Sequence, residues 1–137
     1  MFCVSVFRQV SGILEILIKA GANLEWNDET GKTPVIWATA QTNGSQYNKF
    51  ELLLKRLCEL GADVNAKDYD GNTALHYVAG NNNLKMLDVL KEYKPKLYCN
   101  NDGKTALQVG KDNNYNAIVN ILKHFDLIGM LLILLSL

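Results

Sequence analysis

The chain has 137 residues, which suits one domain, and its 14 basic side chains are matched by 14 acidic ones. A formal net charge of zero leaves no basic field for a nucleic-acid backbone, and no block of like charges reads as a disordered interaction tail. Three cysteines stand far apart, at Cys3, Cys58 and Cys99, with no C-x-x-C pair, which argues against a disulfide framework or zinc site and fits a reducing compartment.

In chain order, Met1–Arg8 reads as a short helix and Ser11–Ala20 as a second, with Leu14 and Leu17-Ile18 on one helical face. The first stretch has no basic n-region and is broken by Arg8, so it makes a poor signal peptide. Gly21-Ala22-Asn23-Leu24 leads to Gly31-Lys32-Thr33 and the apolar run Pro34–Ala40. Residues 41–48 are polar and turn-rich and read as a loop. A second apolar run, Phe50–Leu60, follows. Gly61-Ala62-Asp63-Val64-Asn65-Ala66 then leads to Gly71-Asn72-Thr73, with runs Ala74–Gly80 and Leu84–Leu90. Gly103-Lys104-Thr105 opens the last pair, Ala106–Lys111 and Ala117–Lys123.

The Gly-x-Thr triplet therefore recurs after about 40 and then about 32 residues, and such periodicity decides the fold before any local reading can. Each Thr precedes an apolar run and is a helix N-cap candidate, while Pro34 suits a first helical position where a missing N–H costs nothing. In the second runs, Leu54 and Leu57-Cys58, Met86 and Val89-Leu90, and Val119 and Leu122 are three or four apart. That spacing predicts one buried face per helix. A unit this short cannot bury its apolar face alone, so neighbours must stack.

The stretch from Gly61 to Ala79 resembles the ankyrin repeat, whose period is about 33 residues with a T-P-L-H-x-A core. Thr73, Ala74, Leu75, His76 and Ala79 match that core, as do Thr33, Pro34 and Ala38, and Thr105, Ala106 and Leu107. The resemblance implies an all-α ankyrin-repeat solenoid of stacked helix-turn-helix pairs joined by β-hairpin-like loops. The domain spans residues 1–126, in units of about 1–27, 28–67, 68–99 and 100–126, and an apolar tail fills 127–137.

Each unit departs from the pattern somewhere. The first lacks its capping Thr and hairpin, as either a degenerate cap or a truncated array would. The second is about seven residues too long, with the surplus in 41–48. The third is one residue short, near either Gly80–Asn83 or Lys94–Leu97. The tail is uncharged and too short for a bilayer, which needs about 20 apolar residues. It reads equally as a cap on the last unit, the start of a membrane segment, or an unselected extension.

The resemblance implies that the His76 imidazole bonds Thr and backbone groups near the hairpin, a structural role. His124 sits at a helix end, where the dipole favours a cation. Asp68-Tyr69-Asp70-Gly71-Asn72 faintly resembles a calcium loop, but the EF-hand needs Gly at position six and Glu at twelve, and neither is present. Cys58 falls in an apolar stripe and reads as core, whereas Cys99 falls near a hairpin tip. Trp37 reads as core; Trp26, in the first hairpin, either packs under the next hairpin or anchors a partner. No catalytic, metal or cofactor-binding residue is expected, and the chain is not expected to be an enzyme.

The resemblance implies a concave binding surface of hairpin tips and inner helices. The residues it places there are Asn27, Glu29, Thr30 and Lys32, then Lys67, Tyr69, Asp70 and Asn72, then Asn101, Asp102 and Lys104. The ends of the first helices add Gln41, Asn81 and Asp112. Mixed charge, a Tyr and several amides suit a protein or peptide partner better than an anionic polymer. The expectation is a non-catalytic adaptor or scaffold, cytoplasmic or nuclear. The alternative is the cytosolic ankyrin domain of a truncated membrane protein such as a channel, attached through 127–137.

Overall fold

In the computed structural model, residues 20–21, 23–40 and 47–136 are described. The expected helices of the first unit and most of the 41–48 loop lie outside them. The described helices are α1 (Pro34–Ala40), α2 (Tyr47–Glu59), α3 (Ala74–Gly80), α4 (Leu84–Lys91), α5 (Ala106–Asp112) and α6 (Asn116–Leu135). No strand occurs among the described residues, and the fold is all-α. α1, α3 and α5 form one row and α2, α4 and α6 a second. Each helix packs on its pair-mate and on its neighbours in the row.

Local chemistry starts and stops each helix. Thr33 Oγ1 accepts from Ile36 N–H at 3.4 Å and Thr105 Oγ1 from Gln108 N–H at 3.3 Å, satisfying donors the helix leaves open. Asn83 Oδ1 does the same for α4, accepting from Met86 N–H at 3.2 Å. α3 ends on Asn82 and α5 on Asn114, both at positive φ. Beyond them Asn83 N–H reaches Val78 O and Tyr115 N–H reaches Gly110 O, so both helices close with a Schellman turn. α2 closes the same way on Gly61, with Gly61 N–H to Cys58 O and Ala62 N–H to Leu57 O, both 3.1 Å. It also begins at Tyr47, ahead of the apolar run, because the polar residues before Phe50 extend the helix.

The matching turns at Asn82 and Asn114 place the third unit's missing residue after α4, on the Lys94–Leu97 side. There Lys94-Pro95 stands where α2 has Gly61-Ala62. Lys94 is held at φ 49, and Pro95 has no N–H to return to the helix.

The core lies between the two rows. Leu54, Leu57, Met86, Leu87, Leu90, Ile118 and Leu122 fill it from the second helices, and Val35, Ala38, Leu75, Val78, Ala79 and Ala106 from the first. Leu54, Met86 and Val119, from successive second helices, are all buried. Small residues on the first helices let the rows approach: a Cβ on Gly110 would lie 3.2 Å from Val119 Cγ2. Cys58 is buried, and burial, then the Glu59 charge, raises its thiol to a pKa of about 11. That thiol is inert. Trp37 is half-buried at the core's margin, edge-on to Phe50 at 5.6 Å.

α6 runs through the expected end of its unit as one helix to Leu135, with Gly129 inside it, because Leu127–Leu135 contains no proline and is apolar throughout. Leu131, Leu134 and Leu135 are exposed. Among the described residues no helix is long and apolar enough to cross a membrane.

Two substitutions test this account by thermal melting. Lys94→Gly relieves a left-handed side chain and should raise stability by about 1 kcal/mol; a lowered melting temperature contradicts the turn assignment. Gly71 and Gly103 both have positive φ, but only at Gly71 would a Cβ meet the next hairpin, 2.6 Å from Asn101 Oδ1. Gly103→Ala should cost about 1–2 kcal/mol, and Gly71→Ala about 1–3 kcal/mol more.

Candidate functional site

Three turns of one construction project from the first row of helices. In each, a side-chain oxygen bonds two backbone N–H groups further round the turn. Asp28 Oδ1 accepts from Thr30 and Lys32 N–H, both 2.9 Å. Asp68 Oδ1 accepts from Asp70 and Asn72 N–H at 3.0 and 2.9 Å. Asn100 Oδ1 accepts from Asp102 and Lys104 N–H at 3.1 and 3.0 Å. A positive-φ glycine follows each, at Gly31, Gly71 and Gly103. The sequence signal for these turns is an Asx residue three places before each glycine, of which only Asp68 falls in the calcium-like run. Its carboxylate is instead consumed internally: the second oxygen accepts from the Tyr77 hydroxyl. Among the described residues no group of three or more His, Cys, Asp or Glu side chains is placed to hold a metal ion.

Neighbouring turns are also bonded to each other. Tyr69 N–H donates to Thr30 O at 3.1 Å, and Asn101 N–H to Asp70 O at 2.9 Å. Asn101 Nδ2 donates to Tyr69 O, and Asn100 Nδ2 to Asn72 Oδ1, both 2.9 Å. Under this ladder the His76 ring joins the third unit to the fourth. Its Nδ1 lies 3.0 Å from both Thr73 N and Oγ1, and its Nε2 lies 2.9 Å from Lys104 O. A neutral ring with hydrogen on Nε2 satisfies all three: Nδ1 accepts from Thr73 and Nε2–H donates to the carbonyl. Burial holds the His76 pKa below its usual value, although the Lys104 carbonyl and the Asp68 charge pull it the other way.

The residues expected on the surface divide into two groups. Asn72, Asn81 and Asn101 are tied into contacts between units; Asn81 Nδ2 donates to Thr39 O at 3.1 Å. Lys104 Nζ pairs with Asp112 Oδ2 at 2.8 Å, and Gln108 Nε2 also donates to Asp112. Those bonds raise the Lys104 pKa and lower that of Asp112. Lys32 Nζ lies 5.7 Å from the Tyr77 ring centroid and 3.1 Å from Thr30 Oγ1, and Lys67 Nζ lies 4.6 Å from the Tyr98 centroid. Thr30 donates its hydroxyl to Asp28 at 2.7 Å. The side chains of Asn27, Glu29, Asp70 and Asp102 are exposed and make no hydrogen bond among the described residues. Tyr69 is 65% exposed and Trp26 39%. Gln41 lies outside the described residues. Cys99 is exposed.

The chain belongs to the ankyrin repeat family: the family model for three copies of the repeat matches residues 45–128. It is 35% identical over 119 residues to XBAT34 of Arabidopsis thaliana, provisionally named an E3 ubiquitin-protein ligase, covering 85% of this chain and 30% of that protein. It is 31% identical to mouse inversin over 80 residues, 58% of this chain and 7% of inversin. Alpha-latrotoxin-Lg1a of Latrodectus geometricus is 28% identical over 114 residues, 81% of this chain and 8% of the toxin. The chain thus spans less than a third of the length of each of these relatives. The ankyrin fold is a non-catalytic one, and its repeats generally serve protein–protein interaction.

The buried imidazole fixes a pH dependence. Its folded pKa lies below the unfolded value of about 6.5, so the unfolded chain takes up a proton that the folded chain refuses. Stability should be lost as pH falls from 6.5 toward the folded pKa. Melting temperatures between pH 7.5 and 5 should show a decline that His76→Gln flattens; equal slopes for the two proteins would remove His76 as its source.

Proposed function

We propose that the chain is a non-catalytic adaptor that binds a protein or peptide across the row of turn tips and the adjoining first helices. The observation that carries this reading is Tyr69. Its backbone is bonded on both sides, to Thr30 O and from Asn101 Nδ2, while its side chain is 65% exposed. A large aromatic on an already ordered backbone can be buried by a partner with little further loss of conformational freedom. Asp70 and Asp102, with Lys32 and Lys104 in the same row of turns, supply both charges. That mixture supports a polypeptide partner over an anionic polymer.

The relatives carry unlike names: a ligase, inversin and a toxin. A segment shared among them fits a common binding element better than the seat of any one activity. We place the adaptor in the cytoplasm or nucleus, on the strength of its odd number of widely spaced cysteines.

Capture experiments from cell extract test the surface. The Tyr69→Ala, Asp70→Ala double variant should lose most of the proteins recovered with the intact chain while keeping its melting temperature within a few degrees, as exposed substitutions do. Unchanged recovery by a folded variant would move binding away from the turn tips.

A further inference from the structure

On the opposite side of the molecule, the second-row helices leave a groove. It lies between α2 and α4, has a volume of about 580 Å³, and is open to solvent. Its apolar content comes from Leu52 on α2 and Val89 on α4. Leu52 is 62% exposed, more than any other large apolar side chain described on these two helices. Charged residues flank it: Glu51 and Lys55 on α2, and Lys85 and Asp88 on α4. Glu92 stands at one end. Within each helix the opposite charges are spaced for an i,i+3 or i,i+4 contact. None of them forms an ion pair among the described residues, where the pairs are Arg56–Glu59 and Lys104–Asp112.

We propose that this groove is a self-association surface and that its occupant is a second copy of this chain, related by a two-fold axis lying across the groove. The order of the charges selects this occupant. Such an axis sets α2 antiparallel to α2 of the second copy, and α4 antiparallel to its α4. Reversal carries Glu51 onto Lys55 of the second copy and Lys55 onto its Glu51. α2 and α4 occupy equivalent places in adjoining units, so the same axis brings Lys85 and Asp88 onto each other's counterparts. Glu51, Lys55, Lys85 and Asp88 then each meet an opposite charge, which gives the self-complementary patch that an isologous interface requires. Leu52, lying between Glu51 and Lys55, sits near the axis and enters the groove of the second copy. This surface is separate from the turn tips, so a dimer leaves both concave faces free.

Sedimentation velocity over a range of concentrations, with the full chain, tests the arrangement. The expected result is a monomer–dimer equilibrium that Leu52→Glu abolishes. Glu51→Lys alone, or Lys55→Glu alone, places like charges together twice and should weaken the dimer about tenfold or more. The exchange Glu51→Lys with Lys55→Glu restores opposite charges across the axis and should return most of the lost affinity. Leu52 and Lys55 are exposed and Glu51 is half-buried, and circular dichroism is used to check that each variant is folded. A chain that stays monomeric at every concentration overturns the proposal. So does an oligomer indifferent to Leu52→Glu, which would place the contact elsewhere, for example on the apolar end of α6. A charge exchange that fails to rescue the single variants rules out the antiparallel pairing.

Discussion

One side-chain oxygen per turn organises this molecule. At Asp28, Asp68 and Asn100 it gathers two backbone N–H groups that would otherwise be left without partners where the chain reverses. The reversal sets the direction in which the following Thr-capped helix departs. That direction stacks α1, α3 and α5 in register and brings successive turns close enough to bond one another. The helices supply most of the buried apolar surface, but the turns fix the interval at which they repeat. A short helix such as α3 is marginal alone and persists because its neighbours cover it.

Contact between units is polar above and apolar below. At the turns it runs through Tyr69, Asn101 and the Asn72–Asn100 pair; one layer down it runs through the His76 ring, and below that through Leu75, Met86 and Leu90 and their counterparts. The ring is suited to its place because a neutral imidazole both accepts and donates. It can satisfy its own unit's Thr73 and the next unit's Lys104 carbonyl at once.

Much of this was legible in the sequence. Leu54, Met86 and Val119 announced a helical stripe by spacing alone, and Thr33 and Thr105 announced their caps. His76 was placed through the family resemblance, and its partners are those expected. Other features were hidden for physical reasons. Asn72, Asn81 and Asn101 look like solvated turn residues until the neighbouring unit is in place, because their partners are remote in sequence. The site of the missing residue needed backbone conformation: only the common left-handed turns at Asn82 and Asn114 separate the two candidate positions. The length of α6 was obscured because an uninterrupted apolar run carries no periodicity that marks an end. The early start of α2 lay in polar residues that a hydrophobic pattern does not register.

The turn tips separate two kinds of information. Asp28, Asp68 and Asn100, with the glycines and threonines after them, define a frame. Glu29, Asp70 and Asp102 are exposed and contribute no side chain to the contacts between units. Replacement at those three leaves the frame standing, so the surface can drift through many alternative chemistries without crossing a barrier of misfolding. Such a scaffold is open to rapid diversification: descendants of one ancestral chain can keep an identical skeleton while each acquires a different acquaintance.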